Sequence, residues 1–273
     1  MTNVTVIIPT WNRADTIEKA IHSALAQTIP PLEVLVCDDG STDNTRELVQ
    51  AVNDPRVKWI QGARCGRPAI PRNRGIAESS GEWLAFLDSD DEWFSEKIER
   101  QLQLAGRLNC MAVCSNAGRF IPGKGGVGNV LLWRNGKIAF DDLLHQNLVI
   151  CSSVLVHRSL FEIVDGFPES ARLPVGEDYA LWLRIATKTS FAFIDEPLLT
   201  YCDDPVTSIR SKGASALEQR ICVFDDFKRW GKEHNISDDY LRKVRRQRVA
   251  DLLNLPKATL INLLIRLKNS FAR

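Results

Sequence analysis

The chain has 273 residues, 44% of them hydrophobic, and a formal net charge of +1. That length supports one large core or a core with a small appendage, and the near-neutral balance gives no sign of nucleic-acid binding. No apolar run reaches the ~18 residues of a membrane-spanning helix, and no signal peptide precedes the first apolar run, so a cytoplasmic chain is expected. The charge is uneven along the sequence. Residues 242–273 carry nine Lys/Arg against one acid, Asp251, which makes that stretch +8 and the remainder −7. Seven cysteines are scattered without a CxxC pair, and the Cys110–Cys114 spacing lacks the partner pair a zinc site needs.

The first hundred residues alternate strand and helix. VTVIIP (4–9) is an apolar, β-branched run ended by proline. Asp15 and Glu18 form a capping-box-like pair, and Ile17, Ala20, Ile21, Ala24 and Leu25 follow at helical spacing. LEVLVC (32–37) reads as a second strand ending at Asp38-Asp39-Gly40, before a short helix opened by Asp43 or Asn44. RVKWI (56–60) is a third strand, a helix runs from Pro71 through Ser79, and EWLAFL (82–87) is a fourth strand. This order, with nearly continuous apolar strands, predicts a parallel sheet covered on both faces.

From Ser95 a helix is expected with Ile98, Leu102, Ala105 and Leu108 inward. Asn135-Gly136, between VLLW and KIAF, predicts a hairpin. CSSVLVH (151–157) reads as a strand, and Ser159 with Glu162 as a capping box on a short helix closed by Gly166. EDYALWLRIA (177–186) is helical and FAFI (191–194) is a late strand. Beyond Pro205 the pattern is helices only, so a boundary is set there.

GKGGVGN (123–129) has the look of a phosphate-binding glycine loop, but Asn129-Val130 stand where such a loop needs Lys-Ser/Thr. It is read as a mobile surface loop. No GxGxxG follows the first strand, which argues against a dinucleotide enzyme.

Ligands of open α/β sheets bind beyond the carboxyl ends of the strands. Three of the first four strands end there in candidate groups: Pro9-Thr10-Trp11-Asn12, Asp38-Asp39 and Asp88-Ser89-Asp90-Asp91. Like charges so close repel, and a carboxylate leaving water costs several kcal/mol. Two carboxylate clusters at one edge therefore call for a cation. A hard divalent ion, Mg²⁺ or Mn²⁺, takes one or two protein carboxylates and completes its shell with substrate phosphates. The alternative is that residues 88–92 cap the next helix and face water.

The segments VTVIIPTWNRADTIEKAIHSALAQT, LEVLVCDDGSTDNT, RNRGIAESSGEWLAFLDSDDEW, SSVLVHRSLFEIVDGFPE and GEDYALWLR, in this order and spacing over roughly residues 3–202, resemble the family 2 glycosyltransferases. The resemblance implies a GT-A fold: Rossmann-like α/β, with a mostly parallel mixed sheet flanked by helices. Residues 1–100 would be the nucleotide-sugar half, 101–205 the acceptor half, and 206–273 a basic, amphipathic helical extension. It also implies inverting transfer of a sugar from a nucleotide-diphosphate donor, usually a uridine one.

By position, the resemblance puts Pro9, Thr10, Asn12 and Arg13 in the nucleotide pocket and Asp39 on the base, with Asp38 a structural neighbour. Arg72 is expected near the base or diphosphate. Asp88-Ser89-Asp90 matches the family's D-x-D, with Asp90 as the metal ligand and Asp88 serving metal or ribose. For Asp91 a helix-capping role competes. Glu177-Asp178 matches the acidic pair of the family. Asp178 is assigned as the base that deprotonates the acceptor hydroxyl and Glu177 as an acceptor contact or orienter. Trp182, four residues after Asp178 on the same helix face, is placed as a floor for the sugar or as core.

The sequence departs from the family in two places. CGRPAIPRNRG carries two prolines before Arg72, and YCDDPVTSIRSKG lacks the histidine of the usual Tyr-Arg-x-His segment, leaving Ser208, Arg210 or Lys212 as substitutes. The tail, 242–273, reads as an anchor on the inner face of an anionic membrane or as a helix packed on the catalytic domain. The expected partners are a nucleotide-diphospho-sugar and a glycan or polyprenyl-linked acceptor of cell-surface polysaccharide, lipopolysaccharide or cell-wall assembly, and no nucleic acid. A sugar- or nucleotide-binding module without catalysis, and a sugar-phosphate nucleotidyltransferase, are the rival readings.

Overall fold

The computed structural model describes residues 3–173, 175–205 and 216–254. Four strands, β1 (Val4–Thr10), β2 (Glu33–Asp38), β3 (Val57–Ile60) and β4 (Trp83–Phe86), alternate with α1 (Ile17–Leu25), α2 (Thr45–Ala51) and α3 (Ala69–Glu78). After them come β5 (Glu92–Trp93), α4 (Lys97–Leu108), β6 (Ala112–Ile121), β7 (Gly125–Asn129), β8 (Lys137–Ile138) and α5 (Phe140–Leu143). Then follow β9 (Leu155–His157), α6 (Arg158–Val164), α7 (Glu177–Ala186), β10 (Phe191–Cys202), α8 (Ala216–Glu233) and α9 (Asp238–Leu253). The ten strands form one mixed sheet of order β3-β2-β1-β4-β9-β6-β10-β5, with β7 on β6 and β8 on β10. The first four strands are parallel, and β9 enters antiparallel between β4 and β6.

The apolar strands are buried on both faces, as their composition predicts. Ile7, Leu35 and Cys37 face a core shared with α5 to α8, whereas Val6, Ile8, Val34 and Val36 face one shared with α1 and α4. This is the two-residue period of a strand read on both sides. The α/β fold with a helical extension is the expected one. Within that extension, α8 places Phe224 and Phe227 in the same core as Trp182. Arg220 of α8 forms a two-pronged ion pair with Asp251 of α9.

Several local expectations are corrected. The hairpin does not turn at Asn135-Gly136. It turns at Pro122–Lys124, between β6 and a β7 built from the glycine run, because Gly123 and Gly125 supply the positive φ a tight turn needs. VLLW forms no strand. The Asn116 side chain bonds both the N–H and the C=O of Leu131 like a strand neighbour, and Leu132 is 95% exposed. Cys151–Ser153 is a 3₁₀ turn rather than the start of a strand, and His157, not Ser159, caps α6. Thr16 precedes α1 without a side-chain cap bond. The inward face of α4 is Lys97, Ile98, Gln101, Leu104 and Ala105, while Leu108 is 53% exposed. Asp91 lies ahead of β5 and caps no helix, since α4 begins only at Lys97.

Helix α3 lies close against the sheet, and Gly75 permits it. A Cβ there would meet Ile7 Cγ2 at 2.6 Å and Cys37 Sγ at 2.8 Å. At Gly106 of α4, by contrast, a Cβ would meet nothing within 4 Å. Gly75→Ala is expected to lower the free energy of urea unfolding by roughly 1–3 kcal/mol through overpacking. Gly106→Ala should raise it by about 0.5–1 kcal/mol through helix propensity.

Candidate active site

The site is assembled at the carboxyl ends of β1, β2 and β4, where α3 and α7 also point their functional ends. Asp38, the last residue of β2, spends its carboxylate on its own loop, accepting from the amides of Gly40 and Ser41 and from the Ser41 hydroxyl. Asp39 points the other way. Its carboxylate accepts the amides of Cys65 and Gly66 at 2.9 Å each, together with the Arg64 guanidinium and the Cys65 thiol.

The segment after β1 has divided duties. Pro9 and Thr10 are in register with Cys37 and Asp38 of β2. Asn12, at φ 50°, exchanges hydrogen bonds with Ser41 and Thr42 and ties the two loops together. Arg13 reaches across to Asp90, 3.3 Å away. Trp11 remains 44% exposed, with the Arg64 guanidinium 3.8 Å from the centroid of its ring.

Asp88, Ser89, Asp90 and Asp91 follow β4. The Asp88 amide donates to the Ser152 hydroxyl at 3.0 Å, which pins the loop to the 3₁₀ turn. The Asp88 carboxylate pairs with Arg72 at 2.6 Å, and the same guanidinium holds Glu177 at 2.6 Å. Arg72 is buried on α3 and its guanidinium lies 5.3 Å from the ring of Phe167. It therefore sits on the D-x-D side of the site, whereas the guanidinium at Asp39 is Arg64. Asp91 is buried and accepts the Cys202 amide at 2.8 Å, joining the loop to β10.

Helix α7 opens with Glu177 and Asp178, favourably placed at a helix N-terminus. Asp178 accepts the Tyr179 amide at 2.7 Å and the Asn147 side-chain amide at 3.3 Å, and has no cationic partner among these contacts. Burial raises the Glu177 carboxyl, with Arg72 opposing and Asp178 reinforcing the shift. Burial also raises Asp90, with the charge of Asp88 adding to it and Arg13 opposing. Asp91 is raised well above the usual range by burial and by both neighbouring aspartates. Among the described residues, Asp88 and Glu177 thus share Arg72, and Asp90 faces Arg13.

This donor set suits a divalent cation. Among the described residues no group of three or more His, Cys, Asp or Glu side chains is placed to hold an ion alone. Asp88 and Asp90 offer hard oxygen ligands on one loop, which fits an ion that draws the rest of its shell from phosphate and water.

Of the two readings of Trp182, sugar floor or core, the structure shows core. It is 0% exposed, packed among Phe167 and Phe191, and presents no surface to a sugar. The sequence reading missed Arg64, Asn147 and Ser152, single polar residues in loops with no periodic signal. The only hint at Arg64 was its place between Gly62 and Gly66. Ser208, Arg210 and Lys212 lie outside the described residues, as does the tail beyond Asn254.

Comparison with known proteins identifies the frame. A profile of the family described as "Glycosyl transferase family 2" matches residues 5–162. The Escherichia coli UDP-Glc:alpha-D-GlcNAc-diphosphoundecaprenol beta-1,3-glucosyltransferase WfgD is 34% identical over 192 residues, covering 70% of this chain and 73% of that one. The crystal structure of S. aureus TarS 1-349 in complex with UDP-GlcNAc superposes with a TM-score of 0.73 at 20% identity, over 96% of this chain and 80% of that one. A longer TarS chain is spanned over 44% of its length. The Pyrobaculum calidifontis mannosyltransferase PcManGT, in complex with GDP-Man and Mn2+, superposes with a TM-score of 0.61 at 17% identity, over 98% and 80%. At such identities the two structures speak for the fold alone. The motif order, the sheet and the profile agree: this chain belongs to glycosyl transferase family 2 and has the GT-A fold.

Proposed function

We propose that the protein is a metal-dependent, inverting glycosyltransferase. It moves a sugar from a nucleotide-diphosphate donor, with uridine as the favoured nucleotide, to a hydroxyl of a lipid-linked glycan in cell-surface polysaccharide assembly. The observation that carries this reading is the Arg72 bridge, which draws Asp88 of the donor side and Glu177 of the acceptor side onto one guanidinium. The glucosyltransferase WfgD, whose printed name specifies UDP-Glc and a diphosphoundecaprenol-linked sugar, supports the choice of donor and acceptor class.

In this reading Asp88 and Asp90 would hold Mn²⁺ or Mg²⁺, a role supported by their two hard oxygen donors on one loop and by the burial and like charge that raise Asp90. When bound, the ion supplies positive charge to the departing diphosphate. Asp178 takes the proton of the acceptor hydroxyl as that oxygen attacks the anomeric carbon from the face opposite the diphosphate. The carbon–oxygen bond to the diphosphate breaks with inversion. Asp178 suits the base because its hydrogen bonds come from neutral donors, whereas Glu177 is engaged by a guanidinium and serves to orient. Asn147 steers the Asp178 carboxylate. Pro9, Thr10, Asn12, Arg13, Asp39 and Ser89 frame the nucleotide side.

Residues 1–205 form the catalytic unit and 206–273 the extension in this proposal. Among the described residues no helix is long and apolar enough to cross a membrane. Part of the basic stretch is used internally: Lys243 pairs with Asp141, and Arg248 with Asp225. Arg242, Arg245 and Arg246 of α9 are exposed and, in this proposal, share contact with the inner face of a membrane with the basic residues that follow.

Asp178→Asn is expected to keep nucleotide binding in calorimetry and to lose roughly 10²–10⁴-fold in turnover. Glu177→Gln should weaken both, since it releases Arg72 and hence Asp88. Equal turnover in Asp178→Asn and the wild type would remove the base assignment.

The raised carboxyl of Asp90 gives a pH test. A carboxyl whose folded pKa lies above its unfolded value is stabilising when protonated and loses that contribution as pH rises through the raised pKa. A cation relieves the charge then exposed. The Mn²⁺-induced rise in melting temperature, measured with UDP present, should therefore grow as pH rises, with a midpoint above the ordinary ~4 of an aspartate. Asp90→Ala should abolish it.

A further inference from the structure

The role proposed for Asp39 meets an obstacle in the structure. A carboxylate offers about four lone-pair sites. Those of Asp39 already receive four donors from one short strap: the Arg64 guanidinium, the Cys65 amide and thiol, and the Gly66 amide. The side chain of Asp39 retains 5% exposure. Nothing remains with which to bind a base.

The same strap covers the aromatic face beside it. The Arg64 guanidinium lies 3.8 Å from the centroid of the Trp11 ring. Its backbone presses on the β2 turn, where a Cβ on Gly40 would meet Arg64 N at 2.7 Å. A guanidinium is flat, stacks on an aromatic ring and presents N–H groups in its own plane. Seated on Trp11 with an N–H to Asp39, it has the shape and hydrogen-bond pattern of a planar heterocycle that offers an N–H at its edge.

We propose that Arg64 is the resident occupant of the nucleobase slot, and that donor binding displaces it from Trp11 and Asp39. This rests on the nucleotide-donor reading given above. Gly62 and Gly66, the latter at φ 70°, flank the residue and give the strap its hinges. The holding forces are of a kind that ligand binding can exceed. One is a cation–π stack and the other an ion pair from a side chain that is 44% exposed, and both are modest in water. A base with an edge N–H, as in uracil, replaces both contacts at once. Only the open fraction of the protein binds, so the observed affinity is the intrinsic one reduced by that fraction. Arg64 thereby sets the concentration at which the donor engages and disfavours bases that cannot replace its N–H on Asp39.

Calorimetric titration of UDP with Mn²⁺ into wild type, Arg64→Ala and Arg64→Lys tests the proposal, with melting temperatures confirming that each variant is folded. Arg64→Ala should bind UDP roughly 3- to 30-fold more tightly, the combined loss of one exposed ion pair and one stack. Arg64→Lys, which keeps the charge without the flat group, should fall between. Unchanged affinity in Arg64→Ala overturns the proposal and leaves the donor-site reading standing. Weaker affinity also overturns it, because Arg64 would then be a direct contact of the nucleotide. If none of the folded proteins binds UDP, or GDP, CDP and TDP in the same titration, the donor-site reading fails and takes this one with it.

Discussion

The buried guanidinium of Arg72 is the interaction on which the rest of the site depends. Taking such a group out of water costs several kcal/mol, and only well-placed counter-charges recover it. Arg72 finds two, Asp88 and Glu177, each at 2.6 Å, one on each terminal nitrogen. Helix α3 must stand close to the sheet to present it there, which is where the bare face of Gly75 enters. On the other side, α7 must bring its first turn to the same point, which fixes Asp178 beside Glu177. The positions of the D-x-D loop and of the acidic pair are thus settled by one side chain.

Among the described residues that arrangement sets more carboxylates than guanidiniums at the site. Glu177 remains raised although Arg72 touches it, and Asp90 remains raised although Arg13 lies nearby, because burial and like charge outweigh each guanidinium. A fold built only for stability would dilute such a cluster. Here it is held together by hydrogen bonds whose partners come from distant segments: the Ser152 hydroxyl accepting from the Asp88 amide, the Cys202 amide donating to Asp91, and the Asn147 side chain donating to Asp178. The strain of bringing like charges together is stored by the scaffold and available to a cationic ligand.

Much of this was legible in the sequence. The unbroken apolar runs of β1, β2 and β4 announced strands buried on both faces, and the acids at the ends of β2 and β4 come together at one edge of the sheet. What failed did so for identifiable reasons. Spacing left Trp182 open between sugar floor and core, and it is core: α7 is buried on nearly every side, so spacing carries no information about which face meets a ligand. The Asn135-Gly136 signal lost to the glycines at 123 and 125, and to Asn116, whose side chain took the place of a strand neighbour. Lys97 and Gln101 could not be read as interior. Lys97 is fully buried, its ammonium bonded to Gln101 and lying 4.0 Å from the Trp93 ring, with its pKa pushed down to about 7 by that burial. Charged residue types inform on burial only statistically, and this one is an exception paired by geometry.

The separation of the partners along the chain has a consequence for synthesis. Arg72 meets Glu177 across 105 positions, and Asp91 meets Cys202 across 111. A nascent chain that has emerged only as far as α4 holds the arginine and the aspartates of the D-x-D loop, but not the second carboxylate or the β10 amide that complete them. Contacts of such long range must wait for loop closure and slow the final step of folding. The carboxylate edge of the first hundred residues is completed only once α7 and β10 have been made. Truncations that end before residue 177 would therefore be expected to yield a sheet whose ligand edge is its least ordered part.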